Sequence, residues 1–198
     1  SDRWEIFRKT AGDAADQCKE ITRYFIRKTR LGIPPIFFDE GLHGLCREGA
    51  TVFPQAIGLA ATFDTGVMHR VARSVAKEAR AFGVRQLLSP VLNISQDPRW
   101  GRTEETFGED PYLCSEMGVA CVQEIEKAGI VATPKHFVAN AGEGGRDSYP
   151  VWGNERWLEN YCFPPFKAAI EKGGAGSVMT AYNSLDGRPC SANEWLLR

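Results

Sequence analysis

The sequence predicts an α/β chain forming roughly the first half of a (β/α)8 barrel of the TIM type, with parallel strands and outer helices. Three observations carry this. Helical patterns and short apolar runs alternate along the chain, the signature of a parallel sheet covered by helices through right-handed crossovers. Each apolar run leads at its C-terminal end into polar chemistry: Glu40, then Arg102, then Lys135 and His136, then Tyr182. A barrel gathers its functional side chains on that face. Finally, the turn Asp39-Glu40-Gly41-Leu42-His43-Gly44 is not the glycine-rich phosphate turn of an open doubly wound sheet.

The elements follow in order. Ala14, Cys18, Ile21 and Phe25 recur at helical spacing and predict a helix over roughly 12–29. Ile33 to Phe38 then suits a buried strand. Asp64 is placed to cap a helix whose Val67, Val71, Val75 and Ala79 share one face, with Gly83 as its stop. A second strand is predicted over 87–94. Asp110 followed by Pro111 opens a helix through Leu113, Met117, Cys121 and Ile125, ended by Gly129. A third strand is predicted over 130–137. Residues 155–172 have helical character interrupted by Pro164-Pro165, so a kink or two short helices are expected. A fourth strand spans 177–183, and 191–198 begins a further helix.

Composition narrows the function classes. Apolar residues make up 43% of the 198 positions, enough for a sizeable core. Against 25 acidic side chains stand 24 basic ones, a net charge of -1 that offers nucleic acid no basic field. No apolar run approaches the roughly 20 residues that span a bilayer, and the opening SDRWEIFRKT has no apolar core of a signal peptide. Cysteines 18, 46, 114, 121, 162 and 190 are widely spaced without a C-x-x-C pair, which argues against structural zinc. His43, His69 and His136 stand far apart in the chain, and no H-E-x-x-H, G-x-S-x-G or Walker loop occurs. No metal and no cofactor is therefore expected.

The densest motif is DPRWGRTEETFGEDP at 97–111. One reading is a solvated loop of Arg–Glu pairs. The other is a rigid loop around Trp100 that fixes a guanidinium as a forked donor over a sugar's vicinal hydroxyls. Arg102 is assigned to that role, with Glu104 and Glu105 orienting arginines. Lys135 and His136, at a strand end, supply an ammonium and an imidazole for adjacent ring hydroxyls, and the lysine charge favours an ionised carboxylate nucleophile. Glu40 accepts hydroxyl hydrogens in the same picture. Pairing it with Glu105 as two catalytic carboxylates is the alternative weighed against it. Met179 and Tyr182 fall where the fourth strand meets the pocket, with the phenol placed to touch a catalytic carboxylate.

Taken together, the segments IPPIFFDEGLHG, GATVFPQ, DPRWGRTEETFGEDP, KHF, NERWLENYCFPPF and SVMTAYNSLDGRPCSAN resemble glycoside hydrolase family 3, the β-glucosidase and β-xylosidase family. The resemblance runs from about residue 30 to the end. It implies a retaining hydrolase that removes single sugars from non-reducing β-linked ends, with a (β/α)8 first domain. It assigns sugar contact to Glu40, three residues before the histidine of the H-G motif, and to Arg102, Lys135, His136, Met179 and Tyr182. Gly144-Gly145-Arg146 resembles β-glucosidase-like members and sets Arg146 at the pocket border. The hexosaminidase branch carries an Asp-His pair in the loop after K-H; here that loop reads AGEGGRDSYP, with Tyr149 near the place of the missing histidine.

The same resemblance implies that residues 1–198 are an incomplete N-terminal barrel domain. In the family the nucleophilic aspartate lies in an S-D-W segment shortly after the region matching Arg198, and the general acid/base comes from a later α/β sandwich domain. No catalytic carboxylate is then expected within these residues. The implied partners are a β-linked oligosaccharide or an aryl or alkyl glycoside, and the C-terminal half of the same polypeptide. An extracellular or periplasmic location is implied as well. Glu40, where many glucosidases carry aspartate, occurs in xylosidases and in a broad group of glucosidases, so β-glucosidase and β-xylosidase both stay open. A non-catalytic carbohydrate-binding module is the expectation if the chain is complete as given.

Overall fold

The computed structural model describes residues 10–142 and 149–198. Its helices are α1 (Ala11–Lys28), α2 (Ala56–Ala60), α3 (Thr65–Ala81), α4 (Pro111–Lys127), α5 (Glu155–Trp157), α6 (Phe163–Glu171) and α7 (Glu194–Leu197). The long ones start where a short polar side chain satisfies an orphan N–H. Thr10 accepts from the Asp13 amide, Asp64 from Gly66 at 2.7 Å and Asp110 from Leu113 at 2.7 Å, with Pro111 opening α4.

Strands β1 (Phe38–Asp39), β2 (Gln86–Leu87) and β3 (Val131–Ala132) pair in parallel in the order β1-β2-β3. A fourth parallel segment, 177–183, lies beside the continuation of β3. The Phe137 amide donates to Met179 O at 2.7 Å, the Ala181 amide donates back to Phe137 O, and Phe137 and Thr180 form a parallel bridge. Four consecutive strands therefore neighbour one another in chain order. A doubly wound sheet would reverse that order at its switch point, so the architecture is a partial (β/α)8 barrel, as the strand ends predicted.

Helices α3 and α4 cover the sheet. Val71, Val75 and Ala79 of α3 and Met117, Cys121 and Ile125 of α4 are buried on the predicted faces, each large apolar side chain contributing about 1.5–3 kcal/mol. Gly118 lets Leu92 approach, since a β-carbon there would stand 2.7 Å from Leu92 Cδ2. Glu124 locks the two helices together. Its buried carboxylate accepts from Arg73 Nε at 2.8 Å, His69 Nδ1 at 3.1 Å and Lys127 Nζ at 3.2 Å. The Arg73 hydrogen bond, ahead of those to Lys127 and His69, outweighs desolvation and holds the Glu124 pKa down at about 2.

Three elements depart from the sequence expectation. The run 33–38 is not buried: Ile33, Ile36 and Phe38 are each 62% exposed. β1 is the edge of the sheet, and among the described residues it pairs with β2 alone. The strand over 87–94 keeps a regular ladder only at β2. Pro90 has no N–H to give it, and pairing resumes at Val91, which bridges both Thr106 and Lys135. In 155–172 the break falls just before the prolines, as a π turn over Leu158–Cys162. Pro164 and Pro165 then occupy the first turn of α6, where a missing N–H costs least. A hairpin of β4 (Ser184–Leu185) and β5 (Arg188–Pro189) also follows the fourth strand.

Candidate functional site

Chemistry begins at the end of β1. Asp39 accepts from the Glu40 amide at 2.8 Å and from Arg47 Nη2 at 2.6 Å, which fixes the backbone that carries Glu40. Gly41 turns away at φ 62, with Leu87 packed where its β-carbon would be. From the extension of β3, the buried Lys135 side chain donates to Glu40 Oε2. A buried ammonium requires such a partner. Glu40 remains 59% exposed on its side chain, so a carboxylate anchored from beneath keeps an accepting edge toward solvent.

His136 is fully buried beside this pair. Its ring lies 5.4 Å, centroid to centroid, from that of Tyr182, whose own side chain is exposed. Met179 is half-buried in the neighbouring segment, with its carbonyl holding the Phe137 amide. The peptide bonds Lys135-His136 and Phe137-Val138 are cis. Asn93 grips His136 on three sides, accepting from its backbone N–H and Nδ1 through Oδ1 and donating to its carbonyl through Nδ2, all at 2.9 Å. Sequence reasoning missed Asn93. A polar side chain inside an apolar run was the available signal, because buried amides are almost always bonded.

Arg102 is buried and forked onto Glu105, Nε to Oε1 at 2.9 Å and Nη2 to Oε2 at 2.6 Å. Orienting the guanidinium was the role assigned to Glu105. Trp100 is fully buried beneath this turn, and Ser95 Oγ bonds Thr103 Oγ1 at 2.9 Å. Because Val91 bridges both Thr106 and Lys135, the Arg102 turn abuts the strand end that carries Lys135. Glu40 and Lys135 touch, His136 and Tyr182 touch, and Arg102 and Met179 stand on adjoining backbone. Arg146 lies outside the described residues.

Several hollows lie elsewhere. Two of about 530 Å³ are lined by Tyr112, Glu116 and Glu159 and by Lys19, Pro34 and Arg80. One of about 470 Å³ is lined by Phe137, Phe163, Phe166, Ile170 and Trp195, and one of about 310 Å³ by Ile36, Phe38 and Phe82 among others. Neither Glu40 nor Lys135 lines any of the four. Among the described residues no group of three His, Cys, Asp or Glu side chains could hold a metal ion. Each histidine has its own partner: His43 the Phe53 carbonyl, His69 Glu124, His136 Asn93.

Comparison with known proteins decides the family. The model of the glycosyl hydrolase family 3 N terminal domain matches residues 9–198. The chain belongs to glycosyl hydrolase family 3. Among relatives of this family, a beta-xylosidase of Formosa agariphila is 38% identical over 92% of this chain and 27% of its own length. A periplasmic beta-glucosidase of Salmonella typhimurium is also 38% identical, over 90% of this chain and 25% of its own. The β-glucosidase structure from Erythrobacter marinus superposes with a TM-score of 0.92 at 35% identity, covering 98% of this chain and 27% of that one. The β-glucosidase of Listeria innocua in complex with isofagomine gives 0.87 at 36%, covering 94% and 27%. The chain thus spans about a quarter of the family 3 relatives it matches. Among its described residues no helix is long and apolar enough to cross a membrane.

Proposed function

We propose that this chain supplies the sugar-gripping part of a β-glucosidase that releases terminal non-reducing β-D-glucose with retention. The observation that carries the reading is the contact of Lys135 with Glu40. Two strands far apart in sequence bring a buried donor and an exposed acceptor to one point, an arrangement suited to neighbouring ring hydroxyls. Glu40, Arg102, Lys135 and His136 hold the sugar, with Met179, Tyr182 and Arg146 bordering it. The nucleophilic aspartate and the general acid are contributed by the rest of the whole protein, this chain being an incomplete barrel domain. The nucleophile attacks the anomeric carbon as the acid protonates the leaving oxygen, and water then frees the sugar. The substrate is a β-linked oligosaccharide or an aryl or alkyl glycoside.

The relative from Formosa agariphila, named a beta-xylosidase, favours a second reading in which the sugar is xylose. Comparing kcat/KM of the whole protein on 4-nitrophenyl β-D-glucoside and β-D-xyloside separates the two. A larger value on the glucoside supports the first reading, and a larger value on the xyloside replaces it with the second. Proton NMR of the first-formed anomer tests retention: β supports it and α refutes it. The 198-residue chain alone should hydrolyse neither substrate, since turnover would make one of its own carboxylates catalytic. The name of the Salmonella typhimurium relative supports placing the whole protein in the periplasm or outside the cell.

A further inference from the structure

We infer that Asn93 is a positioning residue that fixes the tautomer and direction of the His136 imidazole. The inference rests on the proposed sugar-binding role of His136. Its geometry starts in the backbone. The Leu92 amide donates to the Lys135 carbonyl at 2.8 Å, and this register sets Asn93 opposite His136. Both residues are buried, Asn93 at 2% exposure and His136 at 0%, so water does not compete for their hydrogen bonds.

The orientation of the Asn93 amide follows from groups that have no choice. The His136 backbone N–H can only donate, so the atom facing it at 2.9 Å is Oδ1. The His136 carbonyl can only accept, so the atom facing it at 2.9 Å is Nδ2. With the amide fixed at both ends, Nδ1 of the ring stands 2.9 Å from an oxygen that only accepts. Nδ1 therefore carries the hydrogen, and in the neutral ring Nε2 holds the lone pair. Tyr182, in contact with the imidazole, limits its rotation from the other side.

Histidine-selective 15N NMR of the whole protein tests this, with the His136 signals assigned through His136→Gln. Wild-type His136 should be the Nδ1–H tautomer at neutral pH. Asn93→Asp keeps an acceptor opposite Nδ1 and should preserve that tautomer, whereas Asn93→Ala should shift His136 toward Nε2–H. The Asn93→Ala change should also lower kcat/KM on the favoured aryl glycoside at least tenfold, by more than Asn93→Asp does. An Nε2–H ring in the wild type overturns the inference, and so does a tautomer unmoved in Asn93→Ala. The wild-type spectrum decides even if Asn93→Ala does not fold. Expected tautomers in a whole protein that hydrolyses no aryl glycoside would uphold Asn93's hold on the ring and overturn the hydrolase reading alone.

Discussion

Replacing Lys135 by methionine separates binding chemistry from stability. Methionine keeps the buried unbranched stem and removes only the charge. On the stability side the Lys135 side chain is 3% exposed and its partner Glu40 59% exposed. When the ammonium goes, the Glu40 carboxylate is resolvated, so the lost pair is discounted to about 0–1 kcal/mol. Relief of a desolvated cation offsets part of that. Melting of the whole protein should therefore barely move. On the catalytic side, a charge-assisted hydrogen bond to a sugar hydroxyl is lost, about 1.5–3 kcal/mol. At about 1.4 kcal/mol per decade, that is roughly a tenfold to hundredfold fall in kcat/KM. The assay is initial-rate hydrolysis of an aryl β-glucoside beside a thermal melt of the same preparation. An unchanged kcat/KM, or a loss that tracks an equal loss of folded protein, would refute the reasoning.

Other changes probe the scaffold. Glu124→Gln should destabilise the whole protein at pH 7. The Glu124 pKa lies at about 2 against an ordinary 4.5, so its contribution is complete above 4.5 and is lost as pH falls toward 2. The gap in melting temperature between wild type and variant should close over that window; a gap independent of pH would contradict the clamp. At Gly44 φ is 126 and a β-carbon would stand 2.3 Å from the Thr51 carbonyl oxygen, so Gly44→Ala should cost about 2 kcal/mol or more in urea unfolding. A neutral effect would mean that the turn after Glu40 is not as described. Burial pushes the thiols of Cys114, Cys121 and Cys162 up to about 12. Iodoacetamide at pH 8 should therefore label exposed Cys46 well before those three, and equal labelling in native protein by mass spectrometry would count against the packing.

The fold was legible where local rules and burial agree. Asp64, Asp110 and Pro111 marked helix starts that the structure keeps, because capping is settled within one turn. The run 33–38 looked buried because apolar side chains signal a core only where the sheet supplies a second neighbour, and β1 has none among the described residues. The β4–β5 hairpin went unread, although Asp186-Gly187, both at positive φ, is the dipeptide favoured in two-residue hairpin turns. The candidate site residues could be assigned to strand ends because a barrel fixes which face those ends occupy. The Arg102–Glu105 fork was also within reach, three residues apart on one turn. Asn93 was not: its partner is 43 positions away, and only the Val91–Lys135 register joins them.

The most direct measurement is a crystal structure of the whole protein with glucose bound. The account predicts the sugar seated over the strand ends, its hydroxyl oxygens within about 2.6–3.2 Å of Glu40, Lys135, His136 and Arg102. A sugar held elsewhere, with those four side chains touching only one another, would contradict it.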